Sequence, residues 1–195
     1  MNSLTKLINN NDIVYYKTIN LDWDQVATDL ETIKTDTEYE VSVVSEQQYH
    51  SDDLYALQNE YAKYGYTSHN TKIWKTTGKE PKITFNWEAD ICKELPLDHA
   101  IATVTRQDPG QILPWHPDRF FMLRNRYPED TRPIYRFLMF LEDWKMGHVL
   151  QFGDTVLHHW KRGDVYIWDP KMEHVSANIG LETKWTCNIT GFLVG

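Results

Sequence analysis

Two histidines and a carboxylate carry the most distinctive chemistry in this sequence. His116 and Asp118 form a His-x-Asp triplet inside Pro114-Trp115-His116-Pro117-Asp118-Arg119, and His174 stands far downstream in Glu173-His174-Val175. Side chains at i and i+2 of a strand share a face, so His116 and Asp118 can reach one metal from one strand end. Two imidazoles and one carboxylate on one face of an octahedron leave three positions open. That is the ligand set of non-haem Fe(II) centres that take a cosubstrate and O2. Iron's part in such a site is redox, activating O2 to abstract a substrate hydrogen. Mn, Co, Ni or Zn suit the same donors. Taken singly, His116 reads as a turn residue and His174 as a hydrogen-bonded core histidine; the ordered set favours the metal. His-Pro-Asp also marks J-domain co-chaperones, but there it lies between helices. Here the flanks are β-like and rich in proline.

A 2-oxoglutarate cosubstrate needs a cation for its distal carboxylate, on a strand after the distal histidine. Lys184 is the candidate, and alternation puts Thr186 on the same face. Lys184 would act as a point charge, without the bidentate fork of arginine; an exposed strand lysine is the plainer alternative. Arg119, Arg124, Arg126 and Arg132 follow the His-x-Asp triplet. They are a candidate grip on an acidic substrate, Arg119 foremost, with Trp115 placed to touch it; a solvated loop is the ordinary reading. His158 and His159 are adjacent, so on a strand they face opposite ways and cannot easily share a metal. No Ser–His–Asp, Cys–His or Gly-rich phosphate motif competes.

The elements that must position these residues fall into two parts. After Pro96, short aromatic and β-branched runs recur: 100–106, 111–118, 134–141, 149–152, 156–160, 165–168, 174–178 and 184–193. Turns such as Asp108-Pro109-Gly110 and Arg162-Gly163-Asp164 separate them, and no helix-length segment intervenes. Strands at this spacing predict a sandwich or barrel. The expected fold is mainly β: a double-stranded β-helix, the jelly roll of cupins, over 96–195, with an N-terminal α/β elaboration over 1–95 packed outside it. In that elaboration strands are expected at 12–19, 40–44 and 72–75. Helices are expected at 23–35, from Ser51 onwards with Leu54, Leu57, Tyr61 and Tyr64 on one face, and at 86–95. The polar stretch 67–82 is a candidate binding loop. Trp115, Trp160 and Trp168 are expected to line or close the core.

Composition narrows the function classes. A net charge of −8 opposes a nucleic-acid partner held through phosphates. The longest purely apolar run, Phe137 to Leu141, is far too short to span a bilayer, and the first residues lack an apolar signal core. Cys92 and Cys187 suit neither a zinc motif nor a disulfide framework, so a cytoplasmic protein is expected.

The segments Arg136 to Gly147, Trp160-Lys161-Arg162-Gly163, Trp168-Asp169, Glu173-His174-Val175 and Asn178 resemble the aspartyl/asparaginyl β-hydroxylase family of 2-oxoglutarate oxygenases. The resemblance covers about residues 97–192 and extends to His-x-Asp…His members such as bacterial proline hydroxylases. It implies that His116 and His174 are iron ligands, and that Lys184 stands where the family has its cosubstrate arginine. It also implies that Thr105 touches the same carboxylate and that Arg136 meets a cosubstrate or substrate carboxylate. Asp118 sets the chain apart from the mammalian members, which lack that ligand, and Leu138 replaces a family histidine. The function expected is an Fe(II)- and 2-oxoglutarate-dependent dioxygenase that hydroxylates a free amino acid or a peptide side chain. The alternatives are a non-catalytic cupin-like module for small acids and a metal-dependent isomerase or hydrolase.

Overall fold

The computed structural model describes residues 12–44 and 52–194. The first eleven residues and Ser51, the expected start of a helix, lie outside them. The elements in chain order are β1 (Val14–Thr18), α1 (Trp23–Ile33), β2 (Glu40–Ser42), α2 (Asp52–Lys63), β3 (Lys72–Lys75), α3 (Asn86–Lys93), β4 (Leu97–Gln107) and β5 (Ile112–His116). Then come α4 (Phe121–Arg126), β6 (Ile134–Phe140), β7 (His148–Phe152), β8 (Thr155–Leu157), β9 (Asp164–Ile167), β10 (His174–Asn178) and β11 (Lys184–Leu193).

From β4 onwards the chain crosses repeatedly between two antiparallel sheets. Strands β5, β10, β7 and β8 make one; β9, β6, β11 and β4 make the centre of the other. These eight strands are the jelly roll. The N-terminal strands do more than pack outside it: β1 joins the free edge of β9, while β3 and β2 extend the edge beyond β4, giving seven strands in all.

Alternation along the larger sheet decides which residues face the site. On β11, Trp185, Cys187 and Ile189 face outwards with Ala102, Val104, Phe137 and Met139. Helices α1 and α3 cover this face through Val26, Leu30, Ile33, Trp87 and Ile91, which recur at helical spacing. The opposite face of the sheet carries Arg136, Leu138 and Phe140 on β6, in register with Thr190, Asn188 and Thr186 on β11. Between the sheets, Phe140 stacks on Trp160 with ring centroids 4.1 Å apart, and Leu150, Phe152 and Trp168 complete that core. Trp160 and Trp168 therefore sit where the sequence suggests, whereas Trp115 is exposed.

Two details lock the frame. Asp22 caps α1 by accepting from the Gln25 amide at 3.2 Å. At the other end, Arg106 of β4 donates to the carbonyls of Ile33, Lys34 and Asp36 at 2.7, 2.7 and 2.9 Å, and to Asp108 at 3.0 Å. A buried cation thus satisfies the last carbonyl of a helix that has no basic residue in its own last turn, together with two carbonyls of the segment that leaves it. Gly163, in the Trp160–Gly163 turn, has φ +91°, and a Cβ there would meet the Ile19 carbonyl oxygen at 2.5 Å. One expectation fails: β5 ends at His116, so Asp118 lies just beyond the strand, and the connection after it holds the short helix α4. Its six residues, shorter than the apolar period of a helix can reveal, lie between Pro117 and Pro128.

Candidate metal centre

His116 ends β5 and His174 begins β10. The two strands are antiparallel and these residues are register partners, so residues distant in sequence face each other across one ladder. Asp118 follows two residues after His116. Ligand atoms from His116, Asp118 and His174 lie within 4.8 Å of one another.

The hydrogen bonds decide the state of each donor. Nδ1 of His116 lies 2.7 Å from the Pro114 carbonyl, and Nδ1 of His174 lies 3.1 Å from the Met172 carbonyl. A carbonyl only accepts, so each Nδ1 carries the proton and each Nε2 keeps its lone pair. Burial, and after it the neighbouring His174, pushes the His116 imidazole down to about 4. Burial also lowers that of His174, which is wedged against Phe152 and Trp168. Both rings are neutral at pH 7, as a metal requires.

Asp118 has a side chain 1% exposed. Its Oδ1 accepts from Arg136 Nη1, while its Oδ2 is buried without a hydrogen-bond partner among the described residues. Two neutral imidazoles and a buried carboxylate therefore stand with ligand atoms within 4.8 Å of one another. Buried acceptors are seldom left unmet, so this arrangement calls for a cation. The residues fit a divalent metal. Arg136 is held by three contacts: Asp118, Thr190 Oγ1 at 3.1 Å, and the Phe120 ring at 5.3 Å. Such an outer partner orients a metal-binding carboxylate.

A cavity of about 300 Å³ opens from His116 and Asp118. Of the residues expected at the site, Thr105, Arg136 and Arg119 line it. Lys184 and Thr186 lie on the same face of β11 as the lining residues Asn188 and Thr190, four and two positions short of Asn188. The Lys184 ammonium is buried and donates to Val149 O, Ser176 Oγ and Ala177 O at 3.0, 2.7 and 3.1 Å, bridging the two sheets. Burial pushes its pKa down to about 7, against the opposing pull of Glu142. Trp115 alternates with His116 and points away; its indole donates to Glu173 at 2.6 Å. Arg124 and Arg132 bind Asp130, with Arg132 also on Asp98, so they are committed outside the cavity.

The far wall is legible in part: the candidate binding loop 67–82 supplies Ile73, Lys75 and Thr77, but α2 is not expected there. Leu57 and Tyr61 of α2, Ile73 and Lys75 of β3, and Thr77 come from the N-terminal half. The Tyr61 hydroxyl donates to the Trp115 carbonyl at 2.7 Å, fastening α2 across the site. No local pattern signals this. Asn188 and Thr190, by contrast, follow from continuing the alternation that runs through Lys184 and Thr186.

No family model matches the sequence, and no curated protein matches it. Solved structures do match. A prolyl-4-hydroxylase from Pseudomonas putida aligns over 97% of both chains with a TM-score of 0.57, at 12% sequence identity. The fold is a double-stranded β-helix. A predicted oxalate decarboxylase from Thermotoga maritima covers 63% of this chain and 82% of its own, with a TM-score of 0.38 and 15% identity. A double-stranded β-helix domain protein from Klebsiella pneumoniae covers 52% and 70%, with a TM-score of 0.34 and 18% identity. At such identities the likeness is one of fold. Among the described residues no helix is long and apolar enough to cross a membrane.

Proposed function

We propose that this protein is an Fe(II)- and 2-oxoglutarate-dependent oxygenase that hydroxylates an amino acid or a peptide side chain. One observation carries the reading: His116, Asp118 and His174 bring ligand atoms within 4.8 Å of one another beside a cavity, on a fold shared with a hydroxylase. Iron bound there would supply the redox chemistry that splits O2 between the two organic partners, one oxygen entering succinate as CO2 leaves and the other entering the hydroxylated product.

The chain's own residues do the rest. The carbonyls of Pro114 and Met172 hold both imidazoles in the metal-ready tautomer. Arg136 holds the Asp118 carboxylate and offsets its charge. The row Thr103, Thr105, Asn188 and Thr190 gives one wall of the cavity hydrogen-bonding capacity, while Phe120, Leu57 and Ile73 exclude water from others. For 2-oxoglutarate, the cavity presents Thr105 and Arg136; Lys184 would receive a carboxylate only by giving up its present acceptors.

That commitment of Lys184 favours a second reading, a metal-dependent hydrolase or isomerase needing no oxo acid. Anaerobic purification, loading with Fe(II) and assay of succinate release separates the two. Stoichiometric Fe(II), with slow succinate and CO2 formation that stops without O2, is the expected result. No succinate and no 2-oxoglutarate binding would remove the oxygenase reading. His174→Ala should abolish metal binding, because two remaining donors hold Fe(II) poorly.

A further inference from the structure

The most conspicuous unmet group beside the metal ligands is a donor. Arg119 follows Asp118 and lines the cavity, and its Nη1 is buried without a hydrogen-bond partner among the described residues. A guanidinium is charged at every working pH, and leaving a charged donor buried and unmet is costly. Its fork matches a carboxylate, which accepts two parallel N–H groups.

The charges around it agree. Acidic residues outnumber basic ones, 28 to 20, over the whole chain. The cavity reverses this: its lining holds Lys75, Arg119 and Arg136 against Asp118 alone. Arg136 is committed to Asp118 and Thr190, and Lys75 is engaged by the protein. Arg119 sits near Tyr61 of α2, and its charge works against the burial that pushes that phenol up to about 12. Arg119 thus lines the cavity next to Asp118 and within electrostatic reach of Tyr61 on the N-terminal wall.

We propose that Arg119 is the carboxylate receptor of this cavity, so that the ligand it takes beside the metal is a carboxylic acid. The proposal rests on the oxygenase reading for its metal, not for its charge. Two sources carry the same chemistry: the 2-oxo acid cosubstrate, or an amino-acid substrate with a free carboxylate.

Calorimetry on the full-length protein loaded with Ni(II), which supports no turnover, tests it. One arm titrates 2-oxoglutarate. The other, at saturating 2-oxoglutarate, titrates free amino acids and the same amino acids as carboxamides. Arg119→Gln should weaken carboxylate binding about ten- to a hundredfold, the worth of a charged hydrogen bond. Nickel stoichiometry and the near-ultraviolet circular dichroism should stay unchanged. Arg119→Lys, which keeps the charge without the fork, should fall between and serves if the glutamine variant misfolds. Loss in the first arm assigns Arg119 to the oxo acid. Loss confined to the second, with carboxamides binding poorly to the wild type, assigns it to the substrate. Wild-type protein that binds amino acids but no 2-oxoglutarate would end the oxygenase reading and leave Arg119's role standing. Affinities within twofold of wild type for both variants in both arms, or no carboxylate binding by the wild type, would overturn the proposal.

Discussion

His116 and His174 are held neutral by burial, and that has a sign. The His116 pKa is about 4 in the folded chain against 6.5 for the ordinary side chain. Between these values the unfolded chain binds the extra proton and the folded chain does not. Stability is therefore fully present above about pH 6.5 and falls as the pH drops towards 4. The metal affinity of the folded protein should stay nearly flat through most of that window, since protons compete for His116 Nε2 only as the pH nears 4. A metal titration at pH 7.5, 6.0 and 5.0, on protein that circular dichroism shows to be folded, checks it; an affinity that already falls steeply between 7.5 and 6.0 would mean that burial does not hold these imidazoles neutral. Arg136 makes a separate prediction. Arg136→Met leaves all three ligands in place but frees Asp118 to rotate. Metal affinity should drop roughly 10- to 100-fold, the usual cost of losing an outer-shell partner, with the fold intact by circular dichroism.

Among the elements, the C-terminus of α1 depends on one side chain from another part of the chain. Arg106 meets the Ile33 carbonyl and those of Lys34 and Asp36 just beyond it from within the larger sheet. Arg106→Met would leave those acceptors buried and unmet, and urea unfolding should show a loss of about 3 kcal/mol. The candidate metal site stands on the ends of β5 and β10, so metal binding by the folded variant should change little. A large loss of metal affinity would mean that α1 and the site are coupled. Strand limits were largely legible because alternation and turn residues mark them in 134–141, 174–178 and 184–193. Helix α4 was not, because its packing rests on Leu123 contacting Ile134 and Phe192, which are distant in sequence.

For the whole molecule, the bound metal should act as a staple between the end of β5 and the start of β10. A ligand that binds only the folded state, at a hundred times its dissociation constant, adds about 2.7 kcal/mol. For a domain of this size that raises Tm by roughly 5–10 °C. Thermal scans with and without a chelator should show the gap, and His174→Ala should erase it. The seven-stranded sheet extends this coupling to the N-terminal half, since β3 pairs with β4 and places Lys75 opposite Thr105, both on the cavity.

The sequence by itself picked out the candidate ligand triplet, the β-rich character of its second half and the alternation that puts Lys184 and Thr186 on one face. These are properties of spacing, and spacing is local. Only the tertiary structure decided that His116 and His174 are register partners and that Arg136 is committed to Asp118. It alone placed the Lys184 ammonium on carbonyls of the opposite sheet and left Arg119 with a buried, unmet donor. Each of these depends on what a side chain meets across the fold. A pattern along the chain can say which way a residue faces, but not which atoms already occupy the space it faces.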